Sequence, residues 1–307
     1  MGGLLSVVIP AYNEEIMVGK AAQAIAETLR RAEIEYELIF VDDGSRDATW
    51  AGIREASGKD PRVRGLSFSR NFGKDKAVFA GLAEARGACC AVLDCDLQHP
   101  PEKLPEMYAL WQQDYDIVEG VKLSRGREPL LYRMAAGGFN TLISRAVGFD
   151  MKRSSDFKLL DRKVVDTLLA LPEQDVFFRG LTAWVGFKST TLEFSVAERA
   201  AGESKWTFSS LARYAISSIS AFSTGPLLLA IPAGLLTLLI TLLAALLCGV
   251  LGGDGTSWLL FFAVLGLVAL GCLLVGLGVL GYYTARVYRQ SLGRPRYIIS
   301  DRCGEKT

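Results

Sequence analysis

The chain has 307 residues, 50% of them hydrophobic and 22% charged, with 34 Lys and Arg set against 33 Asp and Glu. It is too apolar for one ordinary soluble domain, and a net charge of +1 with no long basic tract lacks the electrostatic footprint that nucleic acid requires. The single histidine, His99, excludes a histidine-rich zinc site, and six cysteines without CxxC spacing argue against a disulfide framework and for a reducing compartment.

Charge is also unevenly placed, since Asp254 is the one charged residue between Arg213 and Arg286. A water-facing domain is therefore joined to a segment that avoids water. The N-terminus, MGGLLSVVIP, has no basic leader, so its apolar run reads as a first buried strand over 5–9 rather than as a signal peptide.

Further strands are predicted over 37–41, 63–68, 89–93 and 116–121, alternating with helices over 15–31, 48–56, 74–86 and 102–112. Alternation of this kind, with strands apolar on both faces, predicts an α/β fold with a mainly parallel sheet covered by helices. Ligands of such sheets bind beyond the carboxyl ends of the strands, so the residues just after each strand are the informative ones. They are Pro10 to Glu14, Asp42 to Ser45, Ser69 to Lys74, and Asp94 to Gln98.

Acidic groups at three neighbouring strand ends repel one another unless a cation or a hydrogen-bonding ligand lies among them. In Asp94-Cys95-Asp96, a continued strand would point both carboxylates the same way, and Gln98 adds a neutral oxygen. Oxygen donors without histidine or thiolate suit Mg²⁺ or Mn²⁺, with phosphates completing the shell.

Residues 206–223 carry Phe208, Leu211, Tyr214, Ala215 and Ile219 at near-helical spacing, which fits a helix lying on a bilayer surface or a packing helix of the globular domain. Two apolar runs, about 226–251 and 258–283, each exceed the roughly 20 residues that cross about 30 Å of hydrocarbon. The polar turn between them predicts a transmembrane hairpin. Lys205 and Arg213 before it and Arg286, Arg289, Arg294 and Arg296 after it put both flanks in the cytoplasm. The expected organisation is a catalytic domain over 1–200, a juxtamembrane segment over 201–224, two membrane helices within 225–284 and a cytoplasmic tail over 285–307. Gly266, Gly271, Gly276, Gly278 and Gly281 permit close helix contacts of the kind a homo-oligomer uses.

Val8-Ile9-Pro10-Ala11-Tyr12-Asn13-Glu14, Val41-Asp42-Asp43-Gly44-Ser45, Arg70-Asn71-Phe72-Gly73-Lys74 and Asp94-Cys95-Asp96-Leu97-Gln98-His99-Pro100-Pro101-Glu102 occur in that order. Together they resemble the GT-A glycosyltransferases of family 2, in particular the polyprenyl-phosphate branch with dolichyl-phosphate mannose synthases and bactoprenol-phosphate glucosyltransferases. Ser155-Asp156-Phe157-Lys158 and Glu198-Arg199 through Lys205-Trp206 are similar to that branch's acceptor-side motifs, and the two-span C-terminus is similar to its bacterial members.

The resemblance implies an integral membrane enzyme that moves a sugar from a UDP- or GDP-linked nucleotide sugar to polyprenyl phosphate. It implies that Pro10, Tyr12, Glu14 and Asp43 line the nucleoside pocket, that Lys74 pairs with donor groups, that Asp96, Gln98 and Asp94 hold the metal, and that Asp156 sits near the reacting centre. A lipid phosphate is already an anion and needs no strong base, so direct attack with inversion is expected. Arg133, Arg199, Ser204 and Lys205 are the expected phosphate captors, with Arg125 and Arg127 on a neighbouring loop. UDP-glucose is the favoured donor and GDP-mannose the alternative. A processive polysaccharide synthase is disfavoured by the lack of QxxRW, and a non-catalytic membrane scaffold by the intact acidic set.

Overall fold

A computed structural model describes residues 3–122, 155–174, 176–194, 225–228, 230–251 and 255–304. The chain divides into two compact units, Met1–Leu211 with Pro295–Thr307, and Ala212–Arg294.

The first unit is built on a sheet that runs β7-β5-β6-β4-β1-β2-β3-β8 among the described residues. Its centre is β1 (Leu5–Ala11), paired in parallel with β2 (Tyr36–Asp42) on one side and β4 (Cys89–Val92) on the other, with β3 (Val63–Phe68) parallel beyond β2. Every residue of these four strands is buried, as the apolar composition of a sheet covered on both faces requires.

Alternation decides which helix each strand residue meets. Leu5, Val7 and Ile9 share a core with Val18, Ile25 and Leu29 of α1 (Val18–Arg31) and with Leu104 and Met107 of α4 (Leu104–Trp111). Val8 faces the other way, toward α3 (Lys74–Glu84), where a Cβ on Gly81 would lie 2.3 Å from Val8 Cγ1. Only glycine permits that approach. Helix α2 (Thr49–Lys59) packs with α1, and α3 packs with α5 (Arg162–Ala170) and α6 (Phe178–Trp184), so helices cover both faces.

All five predicted strands and all four predicted helices form within a few residues of their expected ends. The third strand matches at both ends, and a short 3₁₀ turn, Pro101–Lys103, introduces α4. Sequence reasoning missed three strands. β6 (Lys158–Asp161) inserts antiparallel between β4 and β5 (Ile117–Lys122), β7 (Ser189–Phe194) extends β5 in parallel, and β8 (Ile299–Cys303) pairs antiparallel with β3. In the described part of the stretch read as a tail from 285 on, α9 runs to Ser291 and β8 follows as this edge strand. The described cysteines Cys89, Cys90, Cys95, Cys272 and Cys303 are free thiols.

The second unit contains α7 (Gly225–Leu228), α8 (Ala230–Leu251) and α9 (Gly255–Ser291), with α8 and α9 in contact. Phe261–Ser291 is long and apolar enough to cross a membrane, whereas Ile231–Leu247 is a shorter apolar stretch. Leu235, Leu239, Leu243, Leu267, Leu274 and Val275 on these helices are all more than half exposed, an arrangement suited to hydrocarbon rather than water. The juxtamembrane expectation for 201–224 lies outside the described residues.

Candidate active site

The ends of β1, β2 and β4 and the start of α3 enclose a cleft of ≈ 200 Å³ lined by Pro10, Ala11, Tyr12, Glu14, Asp43, Lys74, Asp94, Cys95 and Asp96. A larger groove of ≈ 870 Å³ runs between α1 and α2, but its charges are a mixed set of helix-surface side chains. In the strand-end cleft, carboxylates that follow β1, β2 and β4 converge beside Lys74.

Each side of the cleft is held by backbone bonding that its sequence explains. Asn13 takes a left-handed conformation (φ 55°), which asparagine tolerates, and its N–H donates to Ser45 Oγ while its side-chain oxygen accepts from Arg46 N–H. The Glu14 N–H donates to Thr49 Oγ1 at 2.8 Å. Asp42 is turned into the fold, accepting from Ser45 N–H and from Ser67 Oγ. Gly44 (φ 67°) lies so close to the next loop that a Cβ would stand 2.3 Å from the Arg70 carbonyl carbon.

Asp43 is 3% exposed and accepts the backbone N–H of Phe72 at 2.7 Å and of Gly73 at 2.9 Å. Burial raises its pKa, and the two N–H donors oppose that shift. It therefore fastens the β3–α3 loop while lining the cleft. A carboxylate has acceptor sites to spare beyond these bonds.

Strand β4 stops at Val92, so alternation does not align Asp94 with Asp96. A turn at Cys95 and Asp96 followed by Leu97 (φ 56°) does so instead, and both carboxylates reach the cleft. Asp96 Oδ1 accepts the Gln98 backbone N–H at 3.1 Å. Gln98 itself is not among the residues lining the cleft; its Nε2 and the Nδ1 of His99 are buried without a hydrogen-bond partner.

Lys74 joins the acidic groups. Its Nζ is 2.6 Å from Asp94 Oδ1 and 2.7 Å from Asp156 Oδ2. The Asp94 contact is as short as the Asp156 one, so the ammonium bridges the two carboxylates. Burial would lower the Lys74 pKa, but Asp94 and Asp156 outweigh it and hold the ammonium above the ordinary lysine range. Asp156, 8% exposed, is gripped on its other side by Arg179, with Nε at 2.6 Å and Nη2 at 2.8 Å. Burial alone would raise the Asp156 pKa; the bidentate guanidinium and Lys74 reverse it and hold the carboxyl well below its usual range.

Two residues at this site escaped sequence reasoning. Arg179 is the sole charge between Asp175 and Lys188, and a lone arginine at the start of an apolar helix was the available signal. His99 stacks on Phe157 with ring centres 5.2 Å apart and has Nδ1 3.8 Å from Asp94 Oδ2. Burial depresses its pKa, with Asp94 opposing the shift.

At the opposite ends of the strands the acidic groups are satisfied internally. Glu37 accepts from Ser6 Oγ, from Arg86 N–H and from Arg64 Nη1 at 3.0 Å. The cleft differs in its charge, because among the described residues its lining sets Glu14, Asp43, Asp94 and Asp96 against Lys74, an excess of negative charge that favours a cation. Among the described residues no three His, Cys, Asp or Glu side chains are grouped to hold a metal. Asp94 and Asp96, two carboxylates at one strand end, fit an ion that takes its remaining ligands from phosphate and water, as Mg²⁺ does.

Arg125, Arg127, Arg133, Arg199, Ser204 and Lys205, the expected phosphate captors, lie outside the described residues.

The uncharacterized glycosyltransferase YkcC of Bacillus subtilis is 38% identical over 304 residues, covering 97% of this chain and 94% of its own. The bactoprenol glucosyl transferase of Shigella phage SfV is 35% identical over 305 residues, covering 97% and 98%. Glucosyl-3-phosphoglycerate synthase of Mycobacterium tuberculosis, in complex with Mn²⁺, UDP and glucosyl-3-phosphoglycerate, superposes with a TM-score of 0.54 at 20% identity, over 71% of this chain and 78% of its own, and shares the GT-A-like fold. Residues 6–169 match the profile of glycosyl transferase family 2. From β1 through the Asp94–Asp96 turn to α5, then, this chain belongs to glycosyl transferase family 2.

Proposed function

We propose that this protein transfers glucose from UDP-glucose to a polyprenyl phosphate at the cytoplasmic face of a membrane, with inversion at the anomeric carbon. The observation that carries the reading is the convergence of Glu14, Asp43, Lys74, Asp94 and Asp96 in one strand-end cleft. The acceptor is drawn from relatives named bactoprenol glucosyl transferase that align over nearly the whole chain, and the UDP from structural neighbours bound to it.

In this reading Pro10 and Tyr12 flank the nucleoside, and Glu14 and Asp43 accept hydrogen bonds from base N–H or ribose hydroxyl groups. Asp96, with Asp94 and Gln98, would hold Mg²⁺ or Mn²⁺, which when bound would neutralise the diphosphate and stabilise it as a leaving group. A phosphate oxygen of the lipid attacks the anomeric carbon as the bond from that carbon to the β-phosphate oxygen breaks. UDP departs as an anion, and no proton need be abstracted from the nucleophile. Lys74, held by Asp94 and Asp156, supplies fixed positive charge beside the breaking bond.

Arg133, Arg199, Ser204 and Lys205 receive the lipid phosphate, with Arg125 and Arg127 assisting. Residues 1–200 form the catalytic domain, 201–224 a juxtamembrane segment and 225–284 two membrane helices with cytoplasmic flanks. The test is transfer of radiolabelled sugar from UDP-glucose to polyprenyl phosphate in membranes, with Asp96→Ala as control. A lipid-linked product with inverted configuration supports the proposal, and retained configuration contradicts the direct attack.

A further inference from the structure

The segment that follows α9 returns to the catalytic unit and grips the loop on which Asp43 and Lys74 depend. Beyond the pairing of β8 with β3, the Ser69 N–H donates to the Ile298 carbonyl at 3.0 Å, and the register shifts between Ser67 and Phe68, where β3 leaves the sheet. Bulges of this kind re-aim the chain next to active sites. Ser300 Oγ donates to the Ser67 carbonyl at 3.1 Å and fixes the irregularity.

Side chains extend the grip. The Tyr297 ring stacks on Phe68, with centres 5.0 Å apart and planes 14° apart, and Phe68 meets the edge of Phe72 at 5.6 Å. Phe72 is the residue whose N–H donates to Asp43 Oδ1, and Gly73, which also donates to Asp43, immediately precedes Lys74. Arg296 donates from Nε to the Glu173 carbonyl at 2.9 Å and from Nη2 to the Leu171 carbonyl, and its guanidinium lies 5.4 Å from the Phe79 ring of α3. In the middle of β8, Trp50 Nε1 donates to Asp301 at 3.0 Å.

We infer that Tyr297 is a positioning residue for the nucleotide-sugar donor, acting through Phe68 and Phe72 on the loop that Asp43 fastens. The inference rests on the proposed donor site, but not on the identity of the acceptor. A loop exchanging between conformers binds its ligand more weakly by the fraction of time it spends out of place. Tyr297 does not line the cleft, whereas Asp43 and Lys74 do, so its effect on the donor passes through the Phe72–Gly73 backbone that Asp43 fastens. The stacked ring matters here, so phenylalanine replaces tyrosine without loss.

The test uses the full-length protein in detergent or nanodiscs with Mn²⁺, comparing wild type with Tyr297→Phe, Tyr297→Leu and Tyr297→Ala. UDP affinity is measured by calorimetry, and KM is measured separately for UDP-glucose and for polyprenyl phosphate. Tyr297→Leu keeps an apolar side chain on Phe68 and remains informative if the alanine variant unfolds. The expected result is a weakening of UDP binding by about fivefold or more in Tyr297→Leu, a matching rise in KM for UDP-glucose, an unchanged KM for the lipid, and wild-type values in Tyr297→Phe. Unchanged UDP affinity in a folded Tyr297→Leu protein, equal rises in both KM values, or a Tyr297→Phe variant as impaired as Tyr297→Leu would each overturn the inference. A wild-type protein that binds UDP but makes no lipid-linked product overturns the proposed function and leaves the binding test standing; one that binds no nucleotide overturns both.

Discussion

Lys74 and Asp156, 82 residues apart in the chain, meet with Nζ 2.7 Å from Oδ2, and the same ammonium lies 2.6 Å from Asp94. The first turn of α3 and the approach to β6 are thereby tied across the cleft. Replacing Lys74 with methionine leaves two carboxylates facing each other without their shared cation. A loss of about 100-fold or more in kcat/KM is expected in steady-state assays, because fixed charge at a reacting phosphate commonly contributes that much. Retention of more than a tenth of wild-type activity would remove Lys74 from the reaction.

Arg179 holds Asp156 in a bidentate pair while Lys74 meets the same carboxylate, so Arg179→Leu removes one of its two cationic partners and costs about 1–2 kcal/mol of stability, the partly exposed guanidinium being partly screened. The pH dependence follows from the sign of the shift. The folded-state pKa of Asp156 is depressed, so its stabilising contribution is present above the unfolded value and is lost as pH falls through the folded one. Wild type should therefore keep this contribution down to pH values well below 4, whereas in Arg179→Leu the carboxyl titrates higher and stability at neutral pH is reduced. Thermal melts from pH 3 to 8 check both statements.

Asp75 behaves oppositely. Burial and the neighbouring Asp156 carboxylate push its pKa up to about 6, although the Phe178 N–H donates to it at 3.1 Å. A carboxyl whose folded pKa is raised loses stability as pH climbs through the window from about 4 to about 6, because folding then disfavours its ionised form. Asp75→Asn should raise the melting temperature by roughly 2–4 °C at pH 8 and leave it unchanged at pH 4.

Gly44 joins a left-handed backbone to a contact that admits no Cβ. Gly44→Ala should displace the Arg70–Gly73 loop and weaken UDP binding by about tenfold, with a stability loss of about 1–3 kcal/mol. Calorimetric titration with UDP and Mn²⁺ measures the first effect, and denaturant unfolding the second.

The sequence made the central sheet legible because its strands are buried on both faces and stand out as short β-branched runs between amphipathic helices. The cleft was legible for the same reason, since ligands of such sheets gather at strand ends. Asp94 and Asp96 reach it through a turn with Leu97 in a left-handed conformation, which alternation does not anticipate. β6 and β8 were hidden because their partners lie far away in the chain, Lys158 opposite Val92 and Cys303 opposite Gly65. β8 also carries Asp301 and Arg302, charges suited to an edge strand that read as an ordinary tail. Arg179 was missed because nothing near it in sequence names Asp156 as its partner.

The central claim is that the strand-end cleft moves glucose onto a lipid phosphate with Asp96 helping to hold the divalent ion. It is tested most directly by incubating the purified full-length protein with labelled UDP-glucose, polyprenyl phosphate and Mn²⁺, and extracting the lipid. The account predicts a glucosylated lipid product that disappears with chelator and falls by at least about 100-fold in Asp96→Ala. Undiminished product in Asp96→Ala, or no lipid product from a wild-type protein that binds UDP, would contradict it.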